Sequence, residues 1–119
     1  TSGGRFESSP VVTASDYDAA AVDPLGRMLA TAETFRGLTD LAMDAADELC
    51  NGRLVLVHEG GYSEAYVPFC GHAVLAQLCG SAIAAPDPLG ETLAARQPGS
   101  HFQRYLNSVV DEFEDFFLG

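Results

Sequence analysis

Lysine is absent from this chain of 119 residues, and the six arginines are opposed by 17 aspartates and glutamates, which gives a formal net charge of −11. Affinity for nucleic-acid backbones comes from Lys and Arg side chains that displace condensed counterions. A surface this acidic repels phosphate groups. The composition therefore predicts no direct nucleic-acid partner.

Long apolar runs and paired cysteines are also missing. The alanine-rich stretch at 73–85 is interrupted by polar residues and glycine, and it falls short of the roughly 18–20 apolar residues that a membrane span needs. The three cysteines, Cys50, Cys70 and Cys79, form neither an even set nor a CxxC motif. With no recognisable signal peptide, we expect no membrane partner, no disulfide framework and a reducing, cytoplasmic location.

Two short apolar runs predict buried strands. One runs from Val11 to Ala14 after an entry loop at 1–9, and the other runs from Arg53 to Glu59. Neither run alternates apolar with polar residues, which is typical of parallel strands that are buried on both faces.

Two helices, one between the strands and one after them, are predicted from capping residues and apolar spacing. Thr31 caps a helix over 32–49, which stops at Asn51-Gly52. Its expected core face consists of Phe35, Leu38, Leu41, Ala42, Ala45 and Leu49. A second helix begins near Pro68 and ends at Gly80.

The remaining segments are two loops and a terminal helix. The loops cover 15–28 and 81–99, where Asp, Pro and Gly break up any regular element. Ser100 and Gln103 are interpreted as the capping box of the last helix. Apolar residues at helical spacing then continue to Phe117.

Strand, helix and strand in this order form a right-handed βαβ crossover, so the strands should be parallel. Two parallel strands with their helices cannot cover both faces of the sheet. The sequence therefore predicts an α/β fold that belongs to a larger parallel sheet. By itself the chain should expose an apolar sheet edge and face, and be marginally stable or prone to aggregate.

Unusual residues follow both predicted strands. Asp16, Asp18 and Asp23 follow the first strand, and the run from His58 to Tyr62 ends the second. Ligands of parallel α/β sheets bind beyond the carboxyl ends of the strands. A carboxylate and a phenol should therefore meet on one rim.

Each of these features has two interpretations. Asp23 before Pro24 is either a carboxylate presented to a metal or a turn-forming Asp-Pro pair. Gly60-Gly61-Tyr62 either lets a tyrosine hydroxyl donate to a developing oxyanion or forms a plain turn with a packed tyrosine. The residues alone leave both questions open.

Other polar or reactive residues fit structural roles better. His58 is interpreted as a core or rim histidine, and Cys70 as a small buried hydrophobe rather than a nucleophile beside His72. His101 should be exposed. The acidic residues of the first and last helices are interpreted as solvated helix faces.

Three segments together carry a resemblance to a known family. They are SDYDA at 15–19, VDPLGRM at 22–28 and LVLVHEGGYS at 54–63. In order and spacing they resemble the C-terminal third of histone deacetylase-like amidohydrolases, in particular bacterial class II-type enzymes and acetylpolyamine amidohydrolases. The close resemblance covers 10–80, while 81–119 resembles the family's variable loop and terminal helices. Residues 1–119 are thus expected to be the C-terminal part of one such domain.

The resemblance implies a three-layer arginase/deacetylase fold, with a parallel sheet between helices and a catalytic Zn²⁺ at the strand ends. It assigns Asp23 as the last zinc ligand and Tyr62 as the phenol that polarises the acetyl carbonyl. The substrate channel would include Pro24, Ala30, Glu59, Gly60 and Gly61.

The function implied for the full-length protein is zinc-dependent hydrolysis of acetyl-lysine or acetylpolyamine. The apolar terminal helix is expected to pack either on its own domain or on a second subunit, which leaves a homo-oligomer of the full-length enzyme as one of two alternatives. The acidic surface suits such cationic substrates.

Departures from the family's pattern modify these expectations. Asp16 stands where the family usually has glycine, and its side chain and charge are expected either to strain the loop or to tilt the metal ligand. Ala30 stands where a larger residue commonly lines the channel, which predicts a looser wall.

The family's Asp-x-His pair and tandem histidines are missing from this chain. A catalytic zinc needs three protein ligands, so the chain alone is not expected to hydrolyse amides. The alternative to a truncated deacetylase is an inactive remnant that acts as an acidic interaction module.

Overall fold

A computed structural model of the chain describes residues 9–119, so the predicted entry loop at 1–9 lies outside the described residues except for its last position. The elements follow in the order β1 (Val11–Ser15), α1 (Ala32–Cys50), β2 (Leu54–His58), α2 (Val67–Cys79), α3 (Gly90–Ala95) and α4 (Ser100–Leu118). A single 3-10 turn, Tyr17–Ala19, lies between β1 and α1. The predicted α/β order is confirmed.

Strands β1 and β2 form a parallel pair whose register runs from Val11 opposite Leu54 to Ser15 opposite His58. The predicted βαβ crossover is therefore confirmed. Burial on both faces is wrong for the described residues, because half-buried and exposed positions alternate along β1. Val12 and Val55 are 64% and 46% exposed. One face of the sheet is thus left without cover in this part of the chain.

Helix α1 begins and ends as the sequence predicts. The Thr31 side chain accepts a hydrogen bond from the Thr34 N–H, and the Thr34 side chain accepts one from the Thr31 N–H. Asn51 adopts a left-handed conformation at φ 55° and ends the helix.

The buried face of α1 differs from the predicted one. Phe35, Thr39, Ala46 and Cys50 are buried, whereas Leu38, Leu41 and Leu49 are each more than half exposed. The helix has two apolar stripes, and the described residues pack against the stripe that contains Phe35, Ala46 and Cys50. The leucine stripe, like the open face of the sheet, is not covered by the described residues.

Helix α2 contributes much of the core. It has Pro68 in its first turn and ends at Gly80, which is left-handed at φ 61°, so both predicted boundaries are confirmed. Tyr66, Cys70, Ala73 and Val74 pack in one cluster with residues of α1 and of the loop after β1.

The segment at 81–99 is not wholly a loop, because it contains the short helix α3. Leu93 is 3% exposed and belongs to the core cluster, and Leu89 packs against that cluster. The Asp87 carboxylate accepts a hydrogen bond from the Leu89 N–H at 2.8 Å just before the helix. Two leucines four residues apart therefore hold a helical turn that the neighbouring prolines obscured.

Helix α4 begins differently from the prediction and stands apart. Its N-cap is Gly99 with no side-chain cap, so the Ser100–Gln103 capping box is wrong; Gln103 bonds instead to Asn107 at 3.2 Å. None of its residues is buried. No helix in the described range 9–119 combines the length and apolarity that crossing a membrane requires.

Candidate functional site

The loops after β1 and β2 are joined directly beyond the ends of the strands. The Glu59 N–H donates to the Ser15 carbonyl and the Tyr17 N–H donates to the Gly60 carbonyl, both at 3.2 Å. These bonds extend the parallel pairing past the strand ends. The rim predicted from the two strands is therefore present, and both loops contribute to it.

Tyr17 anchors the first loop in the core. Its ring is 5% exposed and lies edge-on to Phe35 with centroids 5.0 Å apart. The His58 ring lies 4.7 Å from it, and His58 Nε2 lies 3.0 Å from the Gly60 carbonyl oxygen. His58 is exposed, so it is a rim histidine that supports the loop backbone.

Asp23 is the buried carboxylate of the rim, at 7% exposure. One oxygen, Oδ1, accepts hydrogen bonds from the Leu25 N–H at 2.8 Å and the Gly26 N–H at 3.0 Å. The other, Oδ2, accepts one from the Tyr62 N–H at 2.7 Å. Asp23 therefore forms the local turn and also joins the two loops.

The carboxyl group of Asp23 is held in its ionised form. Desolvation acts to raise its pKa, but hydrogen bonds from the backbone at Tyr62, Leu25, Gly26 and Ser63 outweigh it, and the pKa falls below the usual 3.8. An anionic carboxylate is the form that binds a metal ion.

Tyr62 is fixed through its backbone and free at its side chain. Its N–H is bonded to Asp23, while the side chain is 55% exposed and its hydroxyl has no partner within residues 9–119. Gly61 before it has φ +120°, and an added Cβ would lie 2.8 Å from the Tyr17 Cβ and 2.9 Å from the Val67 Cγ2. Only glycine fits there.

Asp16 is not strained, contrary to the expectation from the sequence. Its backbone is extended at φ −99° and ψ 98°, a region open to any residue. Its Oδ1 accepts a hydrogen bond from the Gly60 N–H at 2.6 Å. This contact between the two loops is a role that the sequence did not reveal, because nothing near Asp16 in the sequence identifies Gly60 as its partner.

Asp18 completes a group of three carboxylates in the first loop. Its pKa is raised by desolvation first, then by the charges of Asp16 and Asp23 and a hydrogen bond with Asp16. The Asp18 carbonyl lies so close to Gly26 that an added Cβ there would come within 1.7 Å of it. The tight packing of this loop thus depends on Gly26.

The predicted channel residues are distributed around the rim. Pro24 and Glu59 are exposed, while Gly60 and Gly61 are half-buried. Ala30 pairs back onto the first loop: its N–H donates to the Ala19 carbonyl at 3.1 Å, and its carbonyl accepts from the Ala21 N–H at 2.8 Å. The channel role of these five residues stays a prediction.

The described residues provide one candidate zinc ligand. No three His, Cys, Asp or Glu side chains come together as a metal site within residues 9–119. Asp23 fits the part of a single ligand, since it is buried, anionic and at the strand ends. A zinc site with three protein ligands would need the others from outside this range.

Cys70 and Tyr66 have structural roles. Cys70 is fully buried, and burial first, then the charge of Asp87, raises the pKa of its thiol to about 12. The Tyr66 hydroxyl accepts from the Ala32 N–H at 3.1 Å and donates to Asp87. Tyr66 therefore ties the start of α1 to the segment before α3, a role that the sequence alone did not indicate.

The fold and the rim define part of a parallel α/β domain that presents a buried carboxylate and an exposed phenol at the carboxyl ends of its strands. A model of the family described as "Histone deacetylase domain" matches residues 4–78. The chain belongs to this family.

Three curated relatives agree with this assignment. The chain is 47% identical over 108 residues to a histone deacetylase-like amidohydrolase of Pseudomonas aeruginosa, covering 91% of this chain and 28% of that protein. It is 38% identical over 71 residues to Histone deacetylase 8 of Arabidopsis thaliana, a match that covers 60% of this chain and 19% of that protein. It is 28% identical over 111 residues to a probable deacetylase of Archaeoglobus fulgidus, which covers 90% of this chain and 31% of that protein. The chain thus spans less than a third of the length of these relatives.

A solved structure supports the fold. The "HDA15 HD domain" matches with a TM-score of 0.58 at 23% identity, and the match covers 91% of this chain and 27% of that one. This is consistent with the expected piece of an arginase/deacetylase fold.

Proposed function

We propose that this chain is the C-terminal part of a zinc-dependent deacetylase that hydrolyses acetylated amines, either acetyl-lysine or an acetylpolyamine. The observation that supports this most is the pairing of an anionic Asp23 with the Tyr62 backbone, which leaves the Tyr62 hydroxyl free at the rim. Family membership and the 47% identity to the Pseudomonas amidohydrolase support the same class of reaction.

Tyr62 is proposed to donate a hydrogen bond to the acetyl carbonyl oxygen. That oxygen gains negative charge when the amide is attacked, and a fixed donor stabilises it most at that stage. Because the Tyr62 N–H is held by Asp23, the phenol starts from an anchored backbone. Gly60 and Gly61 carry no side chains that would fill the space beside it.

Asp23 is proposed to provide one carboxylate ligand to the zinc. Bound zinc supplies Lewis acidity and activates a water for attack on the amide. Its remaining ligands, together with the general base, are proposed to come from the part of the domain outside residues 9–119.

The acidic surface is proposed to favour cationic substrates. With a net charge of −11, the chain attracts polyamines and lysine-rich segments over long range. We further propose a reducing, cytoplasmic location, where the three free cysteines would stay reduced, and a homo-oligomeric full-length enzyme. The alternative of an inactive interaction module is not favoured, because the named relatives are deacetylases or amidohydrolases.

Two proteins test the proposal side by side: this chain, and a version extended at the N-terminus to the complete domain. We expect the extended protein to bind zinc and release acetate from an acetyl-lysine peptide or an acetylpolyamine, and this chain to do neither. An extended protein that binds no zinc and releases no acetate would contradict the proposal. Comparing the two substrates would identify the substrate class.

A further inference from the structure

Asp16 connects the two rim loops at Gly60, the first of two consecutive glycines in the second loop. Its Oδ1 accepts the Gly60 N–H at 2.6 Å, although 44 positions separate the two residues. The Gly60 carbonyl accepts in turn from the Tyr17 N–H at 3.2 Å. Both polar groups of the Gly60 backbone are thus held by consecutive residues of the first loop.

The contact requires glycine at position 60. An added Cβ there would lie 2.1 Å from Asp16 Oδ1 and 3.0 Å from Asp18 Oδ2. The carboxylate reaches the N–H because no side chain stands between them. Asp16 and Gly60 are therefore sterically matched.

The segment from Gly60 to Tyr62 is held at both ends by carboxylates. Asp16 holds the Gly60 N–H, and Asp23 Oδ2 holds the Tyr62 N–H at 2.7 Å. Two consecutive glycines otherwise sample a wide range of conformations. With the Asp16 bond removed, Gly60 keeps only the contacts to its carbonyl, from the Tyr17 N–H and His58 Nε2, and the peptide that carries its N–H loses its acceptor.

We propose that Asp16 is a positioning residue that fixes the Tyr62 phenol by holding the Gly60 backbone. The inference rests on the proposed function of Tyr62, and it concerns the hydrogen-bond acceptor at Asp16 rather than its charge. The Asp16 side chain, which the sequence predicts to disturb this loop, therefore stabilises it.

The test uses the complete domain with Asp16→Ala, Asp16→Asn and, as a control at an exposed position of α1, Asp44→Ala. Asparagine keeps an oxygen acceptor at Oδ1, whereas alanine has none. We expect Asp16→Ala to lower kcat for acetate release roughly ten- to hundred-fold with little change in KM, since small displacements of a catalytic group have effects of that size. Asp16→Asn should restore most of kcat, and Asp44→Ala should match the unmutated protein.

Either of two results would overturn the inference: an Asp16→Ala variant with unchanged kcat, or an Asp16→Asn variant no better than Asp16→Ala. A second readout does not depend on activity. In this chain, amide hydrogen exchange at Gly60 should speed up in Asp16→Ala and stay near its original rate in Asp16→Asn and Asp44→Ala.

These readouts separate the inference from the proposed function. An unmutated complete domain that releases no acetate would reject the function. Exchange at Gly60 would then decide the inference: unchanged exchange in Asp16→Ala rejects it, and faster exchange supports the hold on the loop.

Discussion

The Asp23 carboxylate accepts a hydrogen bond from the Tyr62 N–H at 2.7 Å, across 39 positions of sequence. The proposed metal ligand and the proposed oxyanion donor are therefore mechanically linked before any substrate binds. The same oxygen that holds Tyr62 contributes to keeping Asp23 anionic, because the bond favours the charged form.

The loop carboxylates should respond to pH with opposite signs. Asp18 has a folded-state pKa above the usual 3.8, so its protonated form favours the folded state and its ionisation opposes folding. This stabilisation is fully present below pH 3.8 and is lost as the pH rises through the raised pKa. Asp23 has a lowered pKa, so its contribution is present above 3.8 and is lost as the pH falls through the lowered value.

From these signs we expect Asp18→Asn to stabilise the chain at pH 7 and to have no effect at pH 3. Urea unfolding at the two pH values measures this, with Asp44→Asn as a control for removal of an exposed charge. A stabilisation of equal size at pH 3 and pH 7 would show that the unfavourable ionisation of Asp18 is not its cause.

Replacing Tyr66 with phenylalanine should destabilise the chain by about 1–3 kcal/mol, the cost of leaving buried polar partners unpaired. The lost hydroxyl leaves the Ala32 N–H without its acceptor and Asp87 without its donor. Tyr105→Phe on the exposed helix α4 is the matched control and should stay within about 0.5 kcal/mol of the parent. Chemical denaturation measures both, and equal midpoints for the two variants would contradict this role of Tyr66.

The three thiols should differ sharply in reactivity. Cys79 is exposed, whereas Cys50 and Cys70 are buried, and burial first, then the charge of Asp87, raises the Cys70 pKa to about 12. Since the thiolate is the nucleophile, an aromatic disulfide reagent at pH 8 should label Cys79 first. Cys79→Ser should abolish the fast phase and Cys50→Ser should leave it intact; a fast phase that persists in Cys79→Ser would contradict the burial of the other two.

Helix α4 should make this chain associate. Phe113 and Phe117 are 60% and 72% exposed on an apolar stripe that no described residue covers. Phe113→Glu should reduce association in sedimentation experiments. Ser108→Glu adds the same charge on a different face of the helix and should change little. If the parent chain is monomeric, or if the two variants behave alike, this stripe is not an association surface.

The local elements could be predicted because their signals are local. Thr31, Asn51 and Gly80 sit where the helices begin or end, and continuous apolar runs indicated the two strands. The same pattern predicted the meeting of Asp23 and Tyr62, because parallel strands bring their carboxyl ends to one edge.

What the sequence could not specify depends on packing partners. Leu38 and Leu49 are as apolar as Phe35, and only the surrounding structure decides which stripe of α1 is covered. Leu93 holds α3 in the core despite the nearby prolines, and Gly99 displaces Ser100 as the N-cap of α4. The stabilising contact of Asp16 could not be predicted either, because the N–H that it binds belongs to Gly60 in the other loop, 44 positions away.

The proposed role of the Tyr62 phenol is tested by the rate of acetate release from the zinc-loaded complete domain with Tyr62→Phe. Removing one oxyanion donor typically lowers kcat by roughly 10²- to 10³-fold, and we expect a loss of that size with zinc content unchanged. The Tyr62 backbone bond to Asp23 survives this substitution, so the loop should stay in place. A Tyr62→Phe enzyme that releases acetate as fast as the unmutated domain would show that the Tyr62 hydroxyl is not the oxyanion donor.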